Sequence, residues 1–184
     1  MRKSVGMPLA GEIERAAVAA KRATTIRVLG VDPGSQATGY GVVESVRGSL
    51  RHLDHGEIRP RRGASLTLCL QEIYEGLAEV IGRVAPDALV IENIFYGKNV
   101  RSLITQGHCR GVAILAGKLR GVAVYEYTPL EIKKAVVGYG RAEKAQVQMM
   151  VKAILNLLVL PPPDAADALA IAICHLNYGK AECI

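Results

Sequence analysis

Ile26-Arg-Val-Leu-Gly-Val-Asp-Pro-Gly34 is the stretch on which the fold turns. A β-branched apolar run that stops at Asp-Pro-Gly reads as a buried strand followed by a turn. Working outward from it, Tyr40–Val46 and Leu50–Ile58 repeat the strand pattern after short connections, which predicts an antiparallel meander. The period then changes. Leu66, Leu70, Ile73, Leu77, Val80, Ile81 and Val84 follow helical spacing up to Pro86. Ala88-Leu-Val-Ile91 is a fourth strand, closed by Glu92. A helix over Val100–Leu119 and a strand over Val122–Tyr127 come next, and Gly107 and Gly111, four apart, allow that helix to pack closely on a neighbour. Thr128-Pro129 opens a short helix with Thr128 as its N-cap. After the Gly138-Tyr139-Gly140 break, the spacing predicts a helix through Val147, Met150, Val151, Ile154, Leu155 and Leu158, stopped by Pro161-Pro-Pro163. The last helix starts near Asp164 and buries Ala165, Ala168, Leu169, Ala172, Ile173 and Leu176. Three strands followed by alternating helices and strands define an α/β layer with a mixed five-stranded sheet flanked by helices.

The composition bounds the function. The chain has 184 residues, is 50% hydrophobic and 22% charged, and so has the means to bury one core. No apolar run reaches ~18 residues, and no apolar stretch near Met1 leads to a small-residue cleavage site, so neither a membrane span nor a secretory signal is expected. Residues 1–25 read as a flexible extension and 26–184 as one domain. Cys69, Cys109, Cys174 and Cys183 form no CxxC pair, which points to a reducing, cytoplasmic setting rather than a disulfide or zinc scaffold.

Four acids stand out by position. Asp32 and Glu92 end strands, and Asp164 and Asp167 are spaced to share one face of the last helix. Ligands of α/β sheets collect at the carboxyl ends of strands, so Asp32 and Glu92 meet there if their strands are parallel neighbours. Taken singly, each has an ordinary reading: Asp32 as turn chemistry, Glu92 as a loop cap, Asp164 as the N-cap of the last helix, Asp167 as a residue favoured by the helix dipole. Taken together, clustered carboxylates repel unless a cation offsets them. A hard divalent metal does so, and four carboxylates suit a pair of Mg²⁺ ions about 4 Å apart. Setting these four aside leaves 17 − 4 = 13 acids against 23 Lys and Arg, a cationic remainder suited to a polyanion. Lys98, Arg101, Lys133, Lys134, Arg141 and Lys144 bracket the acidic segments as candidate phosphate ligands; an exposed cation is also ordinary surface. Phe95, the one phenylalanine, is either a core residue or a ring that stacks on a base. His52 and His55 fall on a strand with spacing that sends them to opposite faces, while His108 and His175 read as structural.

Four segments carry a resemblance. They are Leu29-Gly-Val-Asp-Pro-Gly-Ser35 with Thr38-Gly-Tyr-Gly41; Val90-Ile-Glu-Asn-Ile-Phe95 with Lys98-Asn99; Val136-Val-Gly-Tyr-Gly140 with Ala142-Glu-Lys-Ala-Gln-Val147; and Asp164-Ala-Ala-Asp-Ala-Leu-Ala170. In order and spacing, from about Ile26 to His175, they resemble the RuvC family of Holliday junction resolvases. The resemblance implies an RNase H-like fold, a homodimer, and paired nicks in a four-way DNA junction during recombination and repair. It implies Mg²⁺, two ions per site with Mn²⁺ as a substitute, and work alongside branch-migration machinery. By position, Asp32, Glu92, Asp164 and Asp167 become the metal-binding acids. Lys133 and Lys144 become DNA-contacting bases, with Lys144 catalytic, and Phe95 becomes the stacking aromatic. Competing expectations are an RNase H-like nuclease for RNA or other branched DNA, a junction-binding protein without catalysis, and an actin-like ATPase, which lacks a second glycine motif here.

Overall fold

The computed structural model of the chain describes residues 25–93, 100–179 and 183–184. Residues 1–24, the bulk of the expected extension, lie outside them, as do Phe95 and Lys98. Five strands and five helices are present among the described residues: β1 (Thr25–Asp32), β2 (Thr38–Val46), β3 (Ser49–Ile58), α1 (Leu66–Val84), β4 (Ala88–Glu92), α2 (Val100–Leu119), β5 (Ala123–Tyr127), α3 (Pro129–Val137), α4 (Lys144–Ile154) and α5 (Pro163–Tyr178). The strands form one mixed sheet in the order β3-β2-β1-β4-β5. β1, β2 and β3 make the expected antiparallel meander, while β4 runs parallel to β1, and β5 parallel to β4. None of the described helices is long and apolar enough to cross a membrane.

Alternation along the strands builds two cores. Leu29, Val31, Val42, Leu89 and Ile91 face α1 and α2, where Ile73, Leu77, Cys109 and Ala113 are buried. Val28, Val43, Ala88 and Val90 face α3, α4 and α5, against Ile132, Val147, Val151 and Leu169. Burying both faces of β1 and β4 accounts for their continuous apolar runs. On the second face α5 lies so close to β1 and β2 that only glycine fits beneath it. A Cβ at Gly30 would overlap the Ala168 carbonyl, one at Gly39 the Asp164 carbonyl, and one at Gly41 would sit 2.7 Å from Leu169.

Several local expectations change. α4 ends at Ile154 instead of running through Leu158, because Asn156 takes the left-handed conformation (φ 52°) and turns the chain; Leu158 is left 96% exposed. α5 begins at Pro163 with Pro162 in the cap position, so Asp164 is not its N-cap. A prolyl φ is already helical, and it moves the first turn back by one residue. Leu176 is half-buried rather than core. His52 and His55 do not diverge. The β2–β3 register slips between Val42 and Val43, Leu53 bulges, and His52 Nε2 comes within 2.7 Å of His55 Nδ1. Thr128 does cap α3, in a reciprocal capping box with Glu131. Cys69, Cys109, Cys174 and Cys183 are all free thiols.

Candidate active site

The parallel pairing of β1 and β4 sets Val31 beside Ile91, and the next residue on each strand is an acid. Asp32 and Glu92 therefore leave the sheet side by side at its carboxyl end. α5 crosses the same end, with Asp164 in its first turn and Asp167 about one turn later. All four line one cavity of ≈ 750 Å³, together with Lys133 of α3 and Lys144, the first residue of α4. With Arg101 of α2, which lines the same cavity, the sheet and four helices thus bring together seven of the residues named from sequence. Arg141 is exposed in the turn before α4 and does not line the cavity.

The electrostatics are those of a carboxylate cluster with too little positive charge. Asp32 is pushed up to about 7, first by burial and then by Asp167, Glu92 and Asp164, with Lys144 opposing. Burial and Asp167 also raise Glu92, against Lys144 and Lys133. Lys144 Nζ donates to Asp167 Oδ2 at 2.8 Å, and that bond raises its own pKa. No three His, Cys, Asp or Glu side chains among the described residues stand close enough to enclose an ion. The acids line a common space with Lys133 and Lys144, and Lys144 is bonded to one of them, Asp167. Their donor set is oxygen throughout, as hard divalent cations require, and Asp32, held up first by burial and then by its acidic neighbours, is a carboxyl that a bound cation would help to ionise. The residues fit such an ion.

Further supports escaped the sequence reading. Thr38 is fully buried; its hydroxyl donates to the Gly34 carbonyl at 2.9 Å and accepts from the Gly34 N–H at 3.3 Å, closing the loop that follows Asp32. Beyond Glu92, the Asn93 N–H donates to the Tyr127 carbonyl at 2.8 Å, and its side chain reaches Glu126, which is ion-paired with Arg110. The spacing within Asp32-Pro-Gly…Thr38 hinted at the first device; nothing local signalled the second, which joins β4, β5 and α2. His175 stays out of the cavity and bonds the Tyr127 hydroxyl at 3.1 Å, in keeping with a structural role.

A sheet of this order, carrying acids at the ends of β1 and β4 and on a helix laid across β1 and β2, is the RNase H-like class of fold with a carboxylate-lined cleft. Comparison with known proteins narrows the class. The family model described as crossover junction endodeoxyribonuclease RuvC matches residues 28–175, and the chain belongs to that family. It is 49% identical over 152 residues to the RuvC crossover junction endodeoxyribonuclease of Geobacter metallireducens, covering 83% of this chain and 93% of that protein. The corresponding protein of Syntrophotalea carbinolica is 51% identical, covering 83% and 94%. Among solved structures, T. thermophilus RuvC in complex with a Holliday junction substrate superposes with a TM-score of 0.81 at 33% identity, over 86% of this chain and 99% of that one.

Proposed function

We propose that this protein is a metal-dependent endonuclease that resolves four-way DNA junctions by paired nicks. The observation that carries the reading is the convergence of Asp32, Glu92, Asp164 and Asp167 on one cleft, where burial and mutual repulsion drive Asp32 up to about 7. These four carboxylates would hold Mg²⁺, two ions per site being in keeping with their number. Bound there, the metal supplies Lewis acidity for a water nucleophile and for the leaving 3′ oxygen. Lys144, which lines the cleft and bonds Asp167, would offset charge that grows on the phosphate in the transition state. Lys133, near enough to lower the pKa of Glu92, positions the same strand. Phe95 and Lys98 are assigned to base stacking and phosphate binding on family resemblance, and Arg141 to a phosphate on the flank of the cleft.

A homodimer suits a substrate with two equivalent strands to cut. α2 offers the surface. Val100, Ile104, Leu115 and Leu119 are all at least half exposed, and they lie on the stripe that includes Gly107 and Gly111, where a Cβ would meet open space. Among the described residues nothing packs closely on these glycines, which leaves the place to a second copy. Branch-migration proteins are the proposed working partners in a cytoplasmic setting, and residues 26–184 the nuclease domain.

Cleavage of a synthetic mobile four-way junction, beside a fork, a linear duplex and an RNA–DNA hybrid, tests the reading. The expected result is Mg²⁺-dependent symmetric nicking of the junction with 5′-phosphate ends, absent in Asp32→Asn. Equal cutting of the linear duplex, or junction binding with no cutting at any metal concentration, would overturn it.

A further inference from the structure

The cleft has two walls of opposite character. One carries the four acids with Lys133 and Lys144. The other is the first two turns of α2, from which Arg101, Thr105 and Gln106 line the same cavity. Residues four apart share a helix face, so Arg101 and Thr105 stack on one stripe, and Gln106 borders the same cavity from the flank. α2 contains no aspartate or glutamate along its whole length. The cleft therefore attracts cations to its floor and presents only neutral or positive groups on its far side.

Arg101 differs from the arginines that serve the fold. Arg27, Arg59, Arg61, Arg83 and Arg110 each pair with a carboxylate: Glu44, Glu57, Glu72, Asp54 and Glu126. Among the described residues Arg101 has no ion-pair partner, and it is exposed at the cleft. Lys144, on the opposite wall, is already committed to Asp167. A guanidinium without a partner keeps its fork of N–H donors for two oxygens of one phosphate, a geometry that an ammonium lacks. Thr105 Oγ1 donates to the Arg101 carbonyl at 3.1 Å, so it braces the turn that carries the arginine. The exposed Gln106 amide, which borders the same cavity, adds a neutral donor for a neighbouring sugar-phosphate oxygen.

We propose that Arg101, with Gln106 beside it, forms a second DNA-backbone site on the α2 wall. It grips a phosphate adjacent to the one cut and so fixes how the strand lies over the acids. The inference rests on the nuclease reading of the cleft and extends it. Contacts of this kind add affinity and register without reading sequence.

Binding of the full-length protein to a synthetic four-way junction in EDTA, followed by fluorescence anisotropy from 50 to 200 mM salt, tests the site. Each phosphate contact contributes about 0.9 to the slope of log affinity against log salt. Arg101→Ala should therefore bind more weakly, with a slope shallower by about 0.9, so that its deficit against wild type shrinks roughly threefold across that range. Arg101→Lys should restore the slope, whereas Gln106→Ala should lower affinity and leave the slope as it is. In steady-state cleavage, the loss in Arg101→Ala should fall on KM more than on kcat. Wild-type affinity and slope in Arg101→Ala would overturn the α2 site while leaving the nuclease reading intact. Failure of the wild type itself to bind or cut the junction would overturn the nuclease reading instead.

Discussion

Lys144 Nζ lies 2.8 Å from Asp167 Oδ2, so the cleft holds its own counter-ion before any substrate or metal arrives. The pair joins the first residue of α4 to the second turn of α5 and sits mostly in solvent on the lysine side, with 80% of that side chain exposed. It contributes little to stability for that reason. Lys144→Ala should shift unfolding free energy by less than about 1 kcal/mol. Single-turnover cleavage should slow by roughly 10²–10³, the usual effect of deleting a group that stabilises transition-state charge. Junction affinity in metal-free buffer should fall far less. A variant that cuts at the wild-type rate would remove Lys144 from the chemistry.

Asp32 predicts an inverted pH dependence of stability. Its carboxyl rises from an ordinary 3.8 to about 7, chiefly through burial. Between those values the folded chain keeps a proton that the unfolded chain has released. The folded form therefore loses stability as pH rises through that window, and Asp32 adds no further change above it. In metal-free buffer at pH 8, Asp32→Asn should be more stable than wild type by roughly 1–4 kcal/mol, with the gap closing toward pH 4. Mg²⁺ should narrow it at pH 8 by stabilising wild type selectively. Denaturant titrations at several pH values would show this; parallel curves for the two proteins would contradict the assigned environment.

Gly39 stands opposite Asp32 in the β1–β2 ladder and directly beneath the Asp164 carbonyl. In Gly39→Ala the new methyl group meets backbone that has nowhere to go, and the first turn of α5 must lift. We expect a loss of roughly 1–3 kcal/mol. Cleavage should drop by about 10²-fold, as a misplacement near 1 Å can produce. Gly82→Ala is the control: it lies within α1, its Cβ would meet only the end of Arg120 at 3.8 Å, and it should hold or raise stability.

The proposed dimer has a direct test. Ile104, 56% exposed on α2, belongs to neither core of the described residues. Ile104→Glu should leave the thermal midpoint of a dilute sample near wild type while sedimentation velocity shows a monomer at micromolar concentration. A variant that sediments as a dimer would place the interface elsewhere.

Much of the architecture was legible because its signals are local. The apolar run into Asp-Pro-Gly located β1, and Thr128 with Pro129 marked the start of α3. The β1–β4 pairing joins residues as distant as Leu29 and Leu89, and no periodicity encodes it. The meeting of Asp32 with Glu92 was accordingly conditional in the residues, and four motifs in register supplied the rest. Where the reading failed, one residue had overridden a pattern. Leu53 bulged and brought His52 to His55; Asn156 turned left-handed and ended α4; Pro163 opened α5 and deprived Asp164 of its cap. The α2 wall was hidden for another reason. Arg101 was a candidate phosphate ligand and Gln106 only a helix residue, but only the folded molecule shows which surface that helix turns toward the acids.

Half of the acidic set arrives late. Asp32 and Glu92 belong to strands made early, whereas Asp164 and Asp167 wait for α5, which must then settle onto Gly30, Gly39 and Gly41. A ribosome-bound chain that has not yet produced this helix has two of its four carboxylates and nothing to lay over the glycines. Such a nascent chain has only half of the cleft's acidic lining, and the other half comes into place once α5 has been made and has settled on the glycines.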